Sequence, residues 1–385
     1  MAHPTPVMTE SVMRLIRLTL TDFRSYATLT WQPQARISVL AGPNGTGKTN
    51  LLEAVSLLAP GRGLRGARVA DLARHGTTAW AVAGRFRSET AATDIGTGTP
   101  PDGPPDRRVF RLDGSAPRSQ AEIAARVAVV WLTPQMDRLF QEALSGRRRF
   151  LDRLVWALEP GHAREIGSHD TAMAQRNRLL AEGRADPAWL AALEDAMARH
   201  AVAATAARIT LGTHLNAALQ AGAAAPFPAA AIALVCPIAD RLAVSPAVEV
   251  EDWLRTSLAA SRSRDATAGS TALGAHRTDM ALSDSATGRP AAQASTGEQK
   301  ALLVGLILGH AALIAEARGS APLLLLDEPA VHLDPDRRVA LFAALMRLEA
   351  QTILTGTDHE TFSPLAGHAE LLRTGEGHLV PATLP

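Results

Sequence analysis

Lysine is almost missing from this chain. Of its 39 basic residues 37 are arginine, and the two lysines are Lys48 and Lys300. Cys236 is the single cysteine, which excludes an intramolecular disulfide framework and a cysteine-rich zinc module and fits a reducing compartment. Aromatic residues make up 4% of the chain, with one tyrosine, so an aliphatic core is expected. No run of about 18 apolar residues is present, so no membrane span is expected. The polar, proline-containing start (Met1–Val12) lacks the apolar centre of a signal peptide, and the cytoplasm is the expected location. An excess of one charge is lacking too. With 39 basic against 38 acidic residues the net charge is +1, which excludes a uniformly basic nucleic-acid coat and confines any nucleic-acid contact to local patches. Hydrophobic residues are plentiful, 46% of 385, which supports a sizeable core rather than global disorder. At about 150 residues per domain the length suggests two or three domains.

The texture of the chain divides it. Residues 1–12 read as a tail. Residues 13–119 alternate strand and helix patterns: strands over Met13–Leu20, Arg36–Leu40, Trp80–Phe86 and Val109–Leu112, and a helix over Asn50–Ala59. A Gly/Pro/Thr/Asp-rich loop is expected over Thr93–Asp106. Residues 120–270 are rich in Ala, Leu and Arg and read as an inserted, mainly helical subdomain. Pro160 and Pro187 suit helix starts, and a polar loop is expected over Ser261–Ser270. From 271 to 385 the α/β texture returns, with a helix over Gln299–Ala317, a strand over Pro322–Leu326, a helix over Asp336–Glu349 and a strand over Gln351–Thr355. The expectation is one α/β domain split by a helical insert.

Lys48 closes the run Gly42-Pro43-Asn44-Gly45-Thr46-Gly47-Lys48-Thr49, which has the spacing of a phosphate-binding loop between an apolar strand (Ile37–Leu40) and a helix. Glycines there let backbone N–H groups point at a phosphate, and the helix N-terminus adds a positive dipole. A compact ammonium fits such a cradle where a guanidinium fork does not. Lys48 is therefore expected to bridge the β- and γ-phosphates of ATP, and the Thr49 hydroxyl to ligate Mg²⁺.

Leu323–Leu326 is an apolar strand ending in Asp327-Glu328. In this pattern the Asp holds Mg²⁺ through water and the Glu polarises the attacking water as general base. Some thirty residues earlier, Ser295-Thr296-Gly297-Glu298-Gln299-Lys300 opens the next helix. Read alone, it suits an ordinary N-cap, with Ser295 or Thr296 capping and Glu298 in the first turn. Its place before Asp327 is what favours the other reading, a second anion site of Ser295, Gly297 and Gln299. His332-Leu333-Asp334 forms a turn after the carboxylates. For Lys300 only its position is notable.

Phosphate loop, Ser-x-Gly-x-Gln signature, Asp-Glu pair and Leu-Asp turn, in this order, resemble an ABC-type ATPase head, a P-loop fold. Phe23-Arg24-Ser25, the run from Gly42 to Glu53 with Asn50 inside it, Arg147-Arg148-Arg149-Phe150-Leu151-Asp152, His276-Arg277-x-Asp279 and Ser295–Lys300 narrow the resemblance to the RecF family, related to SMC heads. It spans Met13 to the end of the chain. It implies that ATP on the loop of one copy is closed over by Ser295, Gly297 and Gln299 of another. Two nucleotides then hold a homodimer on DNA, and slow hydrolysis, helped by Lys48 and Glu328, releases it. Partnership with RecO and RecR in directing RecA onto gapped DNA is also implied. In the general ATPase pattern a lid-loop Gln ligates the metal, and Gln135 of Thr133-Pro134-Gln135-Met136 is the candidate for that place, although RecF-like sequences often carry an acidic residue there. Arg65 is a candidate phosphate contact and Thr357 a candidate γ-phosphate sensor. Arg62/Arg65/Arg68, Arg107/Arg108 and Arg147–Arg149 are candidate DNA clusters. His276-Arg277 suggests no role of its own. A transporter ATPase subunit is the first alternative. It is disfavoured because 246 positions separate Thr49 from Ser295 and because Thr357-Asp358 replaces the His usual after the last strand. An SMC-like structural ATPase is the second, and it calls for a far longer insert.

Overall fold

Residues 13–88, 91–100, 103–183, 186–375 and 377–383 are described in the computed structural model; the expected tail lies outside them. Elements follow in chain order. β1 (Arg14–Phe23) and β2 (Tyr26–Trp31) form a hairpin whose turn holds Arg24 at φ +53°. Then come β3 (Ile37–Ala41), α1 (Lys48–Ser56), β4 (Ala81–Arg87), β5 (Ala92–Gly98), β6 (Val109–Leu112), α2 (Gln120–Arg126) and β7 (Val129–Leu132). A long helical stretch follows: α3 (Leu144–Leu158), α4 (His162–Glu182), α5 (Pro187–Gln220), β8 (Ala230–Val235), α6 (Pro237–Leu242), α7 (Ala247–Ala268) and β9 (Asp279–Asp284). The chain ends with α8 (Thr296–Arg318), β10 (Leu323–Leu326), α9 (Pro335–Arg347), β11 (Thr352–Gly356), β12 (Ala369–Gly375) and β13 (His378–Ala382).

Two compact units result. The first takes residues up to Asp137, Ala223–Phe227 and Thr296 onward; the second takes Arg138–Gly222 and Pro228–Ser295. The expected insert, 120–270, differs from this second unit at both ends for reasons of strand pairing. β7 pairs in parallel with β10, which ties residues before 138 to the first unit, and β9 pairs with β8, which carries the second unit on to Ser295.

The first unit has two sheets. One is antiparallel, in the order β2-β1-β4-β5-β6. Its strands alternate buried and exposed residues, as a sheet with one solvated face should. The other runs β13-β12-β3-β11-β10-β7 and is parallel from β12 to β7. β3, β7, β10 and β11 are buried along their whole length, the pattern of parallel strands covered on both faces. Helix α8 is long and apolar enough to cross a bilayer by composition alone, but 78% of its apolar window is buried inside the protein, so it is a core helix.

Two expected loops are in part regular structure. Thr93–Asp106 begins with β5, where Thr93, Ile95 and Thr97 point inward and the whole strand pairs with β4. Its Thr and Gly content hid a period of two. Ser261–Ser270 continues α7 to Ala268, with Gly269 in the left-handed conformation as its stop. The reason is tertiary: Arg176 is fully buried and bonds to Glu194, Asp265, Thr271 and the Leu258 carbonyl, while Ser261 bonds Asp265. The second unit packs α4, α5 and α7 around Met197, Ala201, Val250, Leu254 and Leu258.

Candidate nucleotide-binding site

In the parallel sheet of the first unit, β3, β11, β10 and β7 all point the same way, so the loops after them gather along one edge. That edge is where α/β sheets place their ligand sites. The loop after β3 is Gly42–Lys48. Gly42, Gly45 and Gly47 take φ of +152°, +85° and +100°. At Gly42 an added Cβ would lie 2.9 Å from Thr374 Oγ1, and at Gly47 2.9 Å from both Ser25 Oγ and Tyr26 Oη. Glycine is thus required at those two positions by space as well as by conformation, while at Gly45 nothing lies within 4 Å and conformation alone selects it. The Tyr26 hydroxyl donates to the Gly47 carbonyl at 3.0 Å, and Thr46 Oγ1 donates to Pro43 O at 2.9 Å and lies 2.6 Å from Thr374 Oγ1. Burial pushes the Tyr26 pKa up to about 12, so its hydroxyl stays a donor.

Lys48 opens α1 and is buried, and its ammonium donates to the carbonyls of Gly42 (2.6 Å) and Pro43 (2.9 Å) across the bowl of the loop. Burial lowers its pKa, and the nearby Glu328 and Asp327 work against that shift. Thr49 Oγ1 donates to Asp327 Oδ1 at 3.0 Å, joining residues 278 positions apart. The same carboxylate oxygen accepts from Thr355 Oγ1 at 2.7 Å, and the Glu328 N–H donates to that hydroxyl at 2.8 Å. Glu328 sits at φ +48°, a left-handed conformation unusual for a residue with a side chain. Asp327 is buried and Glu328 half-buried.

Asn50 and Arg65 lie in a neighbouring polar cluster. Asn50 Nδ2 donates to Ser25 Oγ (2.9 Å), Arg65 donates to Asn50 Oδ1 (2.8 Å) and Glu53 (3.3 Å), and Arg24 grips Glu53 with two bonds of 2.9 Å. Gln135 is exposed in the 3-10 turn Pro134–Arg138 just beyond β7. Two residues later Asp137 binds Lys300, at 2.8 and 3.1 Å. This gives the second lysine a role: a buried ammonium in the opening turns of α8, next to Gln299. Ser295 is the last residue of the second unit and Thr296 the first of α8. Gly297 is packed by Arg337 (3.3 Å from an added Cβ) and the His332 carbonyl (3.5 Å), with no atom of the phosphate loop within 4 Å of that Cβ.

Sequence reasoning gave no site role to Ser25, which it named only within Phe23-Arg24-Ser25, or to Tyr26, Thr355, Thr374 or Asp137. A lone tyrosine after Phe23-Arg24-Ser25 and a hydroxyl inside an apolar strand were signals for Tyr26 and Thr355; Thr374 had none. Thr357 is exposed at the end of β11, and Thr355, two residues earlier, contacts the carboxylate instead. The arginine clusters also change meaning. Arg108 bonds the carbonyls of Leu57, Ala59 and Gly61, the negative end of α1, and Thr97, so it is a clamp rather than a free cation. Burial lowers its pKa to about 10. Arg147 makes a two-point bond to Asp279 (2.7 and 2.9 Å), and Arg148 is half-buried. Asp152 is held by Arg208 (2.8 and 3.0 Å) and His162 (2.8 Å). The Arg-Arg-Arg-Phe-Leu-Asp and His-Arg-x-Asp runs are therefore stitched together inside the second unit.

A glycine-rich loop with three positive φ angles, an ammonium donating across it and a hydroxyl–carboxylate pair beside it suit a nucleoside triphosphate with a hard divalent cation. Among the described residues no three His, Cys, Asp or Glu converge as a metal cage. Mg²⁺ needs none, since one carboxylate, one hydroxyl and substrate phosphates suffice. Thr49 and Asp327 fit that donor set.

Residues 14–374 match the family model described as RecF/RecN/SMC N terminal domain. Relatives named "DNA replication and repair protein RecF" include those of Mesorhizobium japonicum, 46% identical over 95% of this chain and 97% of that protein, and Agrobacterium fabrum, 45% identical over 96% and 99%. Among solved structures, the recombination mediator protein RecF-ATPrS of the RecFOR pathway superposes with a TM-score of 0.84 at 21% identity, covering 97% of this chain and 99% of that one. A Pyrococcus furiosus Smc head domain bound to the C-terminal domain of ScpA superposes at 0.53 and 14% identity, covering 97% of each.

Proposed function

The chain belongs to the RecF family, with the fold of ABC-type and SMC-head ATPases, and on that premise we propose that it is an ATP-driven DNA clamp of recombinational repair. ATP sits in the Gly42–Thr49 loop with its β- and γ-phosphates on Lys48 and the loop N–H groups. Asn50 borders the site at the start of α1. Thr49 and Asp327, with Gln135 from the lid, would hold Mg²⁺, which would neutralise phosphate charge. Glu328 takes the proton of the attacking water as the bond from the γ-phosphorus to the β-bridging oxygen breaks. Its left-handed backbone, pinned by Thr355, fixes where the carboxylate points. Arg65 lies behind the loop on Asn50 and Glu53 and acts by holding that wall.

Ser295, Gly297 and Gln299 close over the nucleotide of a second copy. Gly297 lies beside Arg337 and the His332 carbonyl, with no phosphate-loop atom within 4 Å of an added Cβ, which supports a role in trans. Because ATP then binds tightly only to the paired form, pairing is linked to the γ-phosphate and is lost on hydrolysis. DNA binding is independent of sequence, with no base-reading motif in the chain. RecO and RecR are the partners, RecA loading on gapped DNA is the outcome, and turnover is slow and DNA-stimulated in the cytoplasm. The relatives' names support the place in DNA replication and repair, and the pathway of the solved neighbour supports the RecO and RecR partners.

The carrying observation is the 3.0 Å bond from Thr49 to Asp327, which assembles two motifs 278 positions apart. Light scattering with ATP, with ADP and with Lys48→Arg, each with and without DNA, tests the proposal. A dimer is expected only with ATP and intact Lys48, and Glu328→Gln should trap it. A monomer under every condition refutes the clamp.

A further inference from the structure

One cation beside the Ser295–Gln299 run has no use in the mechanism above. Arg337 is the third residue of α9, and its N–H donates to Oδ1 of the cap residue Asp334 at 2.8 Å. Its guanidinium lies against the start of a different helix, α8. Nη1 is 3.3 Å from where a Gly297 Cβ would stand, and the His332 carbonyl borders the same point at 3.5 Å. A cation is unwelcome at a helix N-terminus, where the peptide dipoles already present positive charge. Here one guanidinium belongs to the first turn of α9 and rests on the first turn of α8. An anion arriving there would meet the guanidinium and the helix N–H groups together.

The neighbouring acids leave that guanidinium open. Asp334 reaches it only through Oδ2, 3.5 Å from Nε, while Oδ1 is taken by the helix cap. Among the described residues this is the one polar contact of the guanidinium, whose side chain is 37% exposed. Glu298 follows Gly297 and Asp336 precedes Arg337, so each Cβ is turned about 100° round its helix from the face where Gly297 meets Arg337. The chain between Glu328 and Arg337 is tied by its own bonds: the Val331 N–H donates to the Glu328 carbonyl at 3.2 Å and the Leu333 N–H to the Ala330 carbonyl at 3.3 Å. Arg337 is therefore held at the glycine of the signature turn rather than swinging freely.

We propose that Arg337 donates in trans to the γ-phosphate held on the phosphate loop of a second copy. This assignment rests on the trans reading of Ser295, Gly297 and Gln299 above and adds a side chain that touches the reacting group. The water oxygen bonds to the γ-phosphorus as the bond to the β-bridging oxygen breaks, and the water's proton passes to Glu328 of the copy that holds the nucleotide. Arg337 keeps its own protons throughout. Its N–H groups oppose the charge spread over the γ-phosphoryl oxygens, which lowers the barrier and favours the paired form.

The test uses the full chain with ATP and Mg²⁺. Arg337→Met keeps an arm over Gly297 and removes the charge. Its melting curve, and the affinity of dilute single copies for a fluorescent nucleotide, should match wild type, while kcat should fall about hundredfold. Arg337→Met and Glu328→Gln are then mixed in equal amounts before ATP is added. Each mixed pair has one site with Glu328 from the first variant and Arg337 from the second, so the mixture should recover about a quarter of the wild-type rate although neither variant is active alone. Arg337→Met turning over at the wild-type rate overturns the assignment, since packing against Gly297 would then be its whole role, and leaves ATP-driven pairing standing. A slow Arg337→Met that the mixture does not recover also overturns it, because the residue then serves its own copy. A wild type that stays monomeric with ATP overturns the trans reading together with it.

Discussion

Lys300 and Asp137 offer a sharp energetic test, because their exposures differ. The Lys300 side chain is 1% exposed and the Asp137 side chain 20%, with Nζ 2.8 Å from Oδ1. Asp137→Asn leaves an ammonium in the interior facing a neutral amide. Removing one partner of a buried pair costs about 3–5 kcal/mol, and the lower end, about 3 kcal/mol, is expected because water reaches the site from the Asp137 side. Lys300→Met leaves a carboxylate that can turn to that water, so about 1–2 kcal/mol is expected. The double variant has no orphaned charge and should cost no more than Lys300→Met, giving a coupling energy of at least about 3 kcal/mol. Urea denaturation followed by far-UV circular dichroism measures all four proteins. The pair joins the turn carrying Gln135 to the helix carrying Gln299, so the single variants should also weaken ATP-driven pairing while the phosphate loop still binds nucleotide. Equal costs for the two single variants, or a double variant at the sum of both, would refute the reasoning.

Other outcomes follow from the same geometry. Tyr26→Phe removes the bond to the Gly47 carbonyl, so stability should fall by about 1 kcal/mol and ATP should bind several-fold more weakly, measured by urea denaturation and by titration with a fluorescent nucleotide. Gly47→Ala puts a methyl 2.9 Å from Ser25 Oγ and Tyr26 Oη at a φ of +100° and should abolish nucleotide binding in the same titration. His276, in the second unit, has its pKa lowered to about 4, chiefly by burial; a bond to the Thr271 carbonyl opposes this, and His169, Arg277 and Arg148 add to the lowering. An unfolded chain takes up that proton first as pH falls below about 6.5, so this contribution is complete above that pH and is lost as pH falls toward 4. Its upper limit is about 3 kcal/mol, and about 1–2 is expected given the ring's partial exposure. His276→Gln, which keeps a donor toward Thr271, should flatten the urea midpoint between pH 7 and pH 4.

Much of the site was legible because its chemistry is local. A phosphate loop needs glycines and a lysine within eight residues, and a carboxylate pair needs only an apolar strand before it. Legibility ended where the partner is distant in sequence. Thr355 and Thr374 become part of the site only when β11 and β12 flank β3 in the parallel sheet. Asp137 gains its meaning from a lysine 163 positions away. Arginine runs were the least readable, since a guanidinium looks the same in sequence whether it clamps a helix end, as Arg108 does, or stands exposed, as Arg17 does. Composition misled at β5 and at the end of α7, where period and a buried ion partner outweighed polar residues.

The sequence by itself determined the glycine-rich loop between strand and helix, the acidic strand end, the helix that opens at Thr296 and the α/β class of the fold, because spacing along the chain fixes each within one turn or one strand. Only the tertiary structure decided which arginines are free, where the two units divide, what the second lysine holds and which hydroxyls complete the site. Those depend on desolvation and on contacts between segments hundreds of residues apart, which no local pattern encodes.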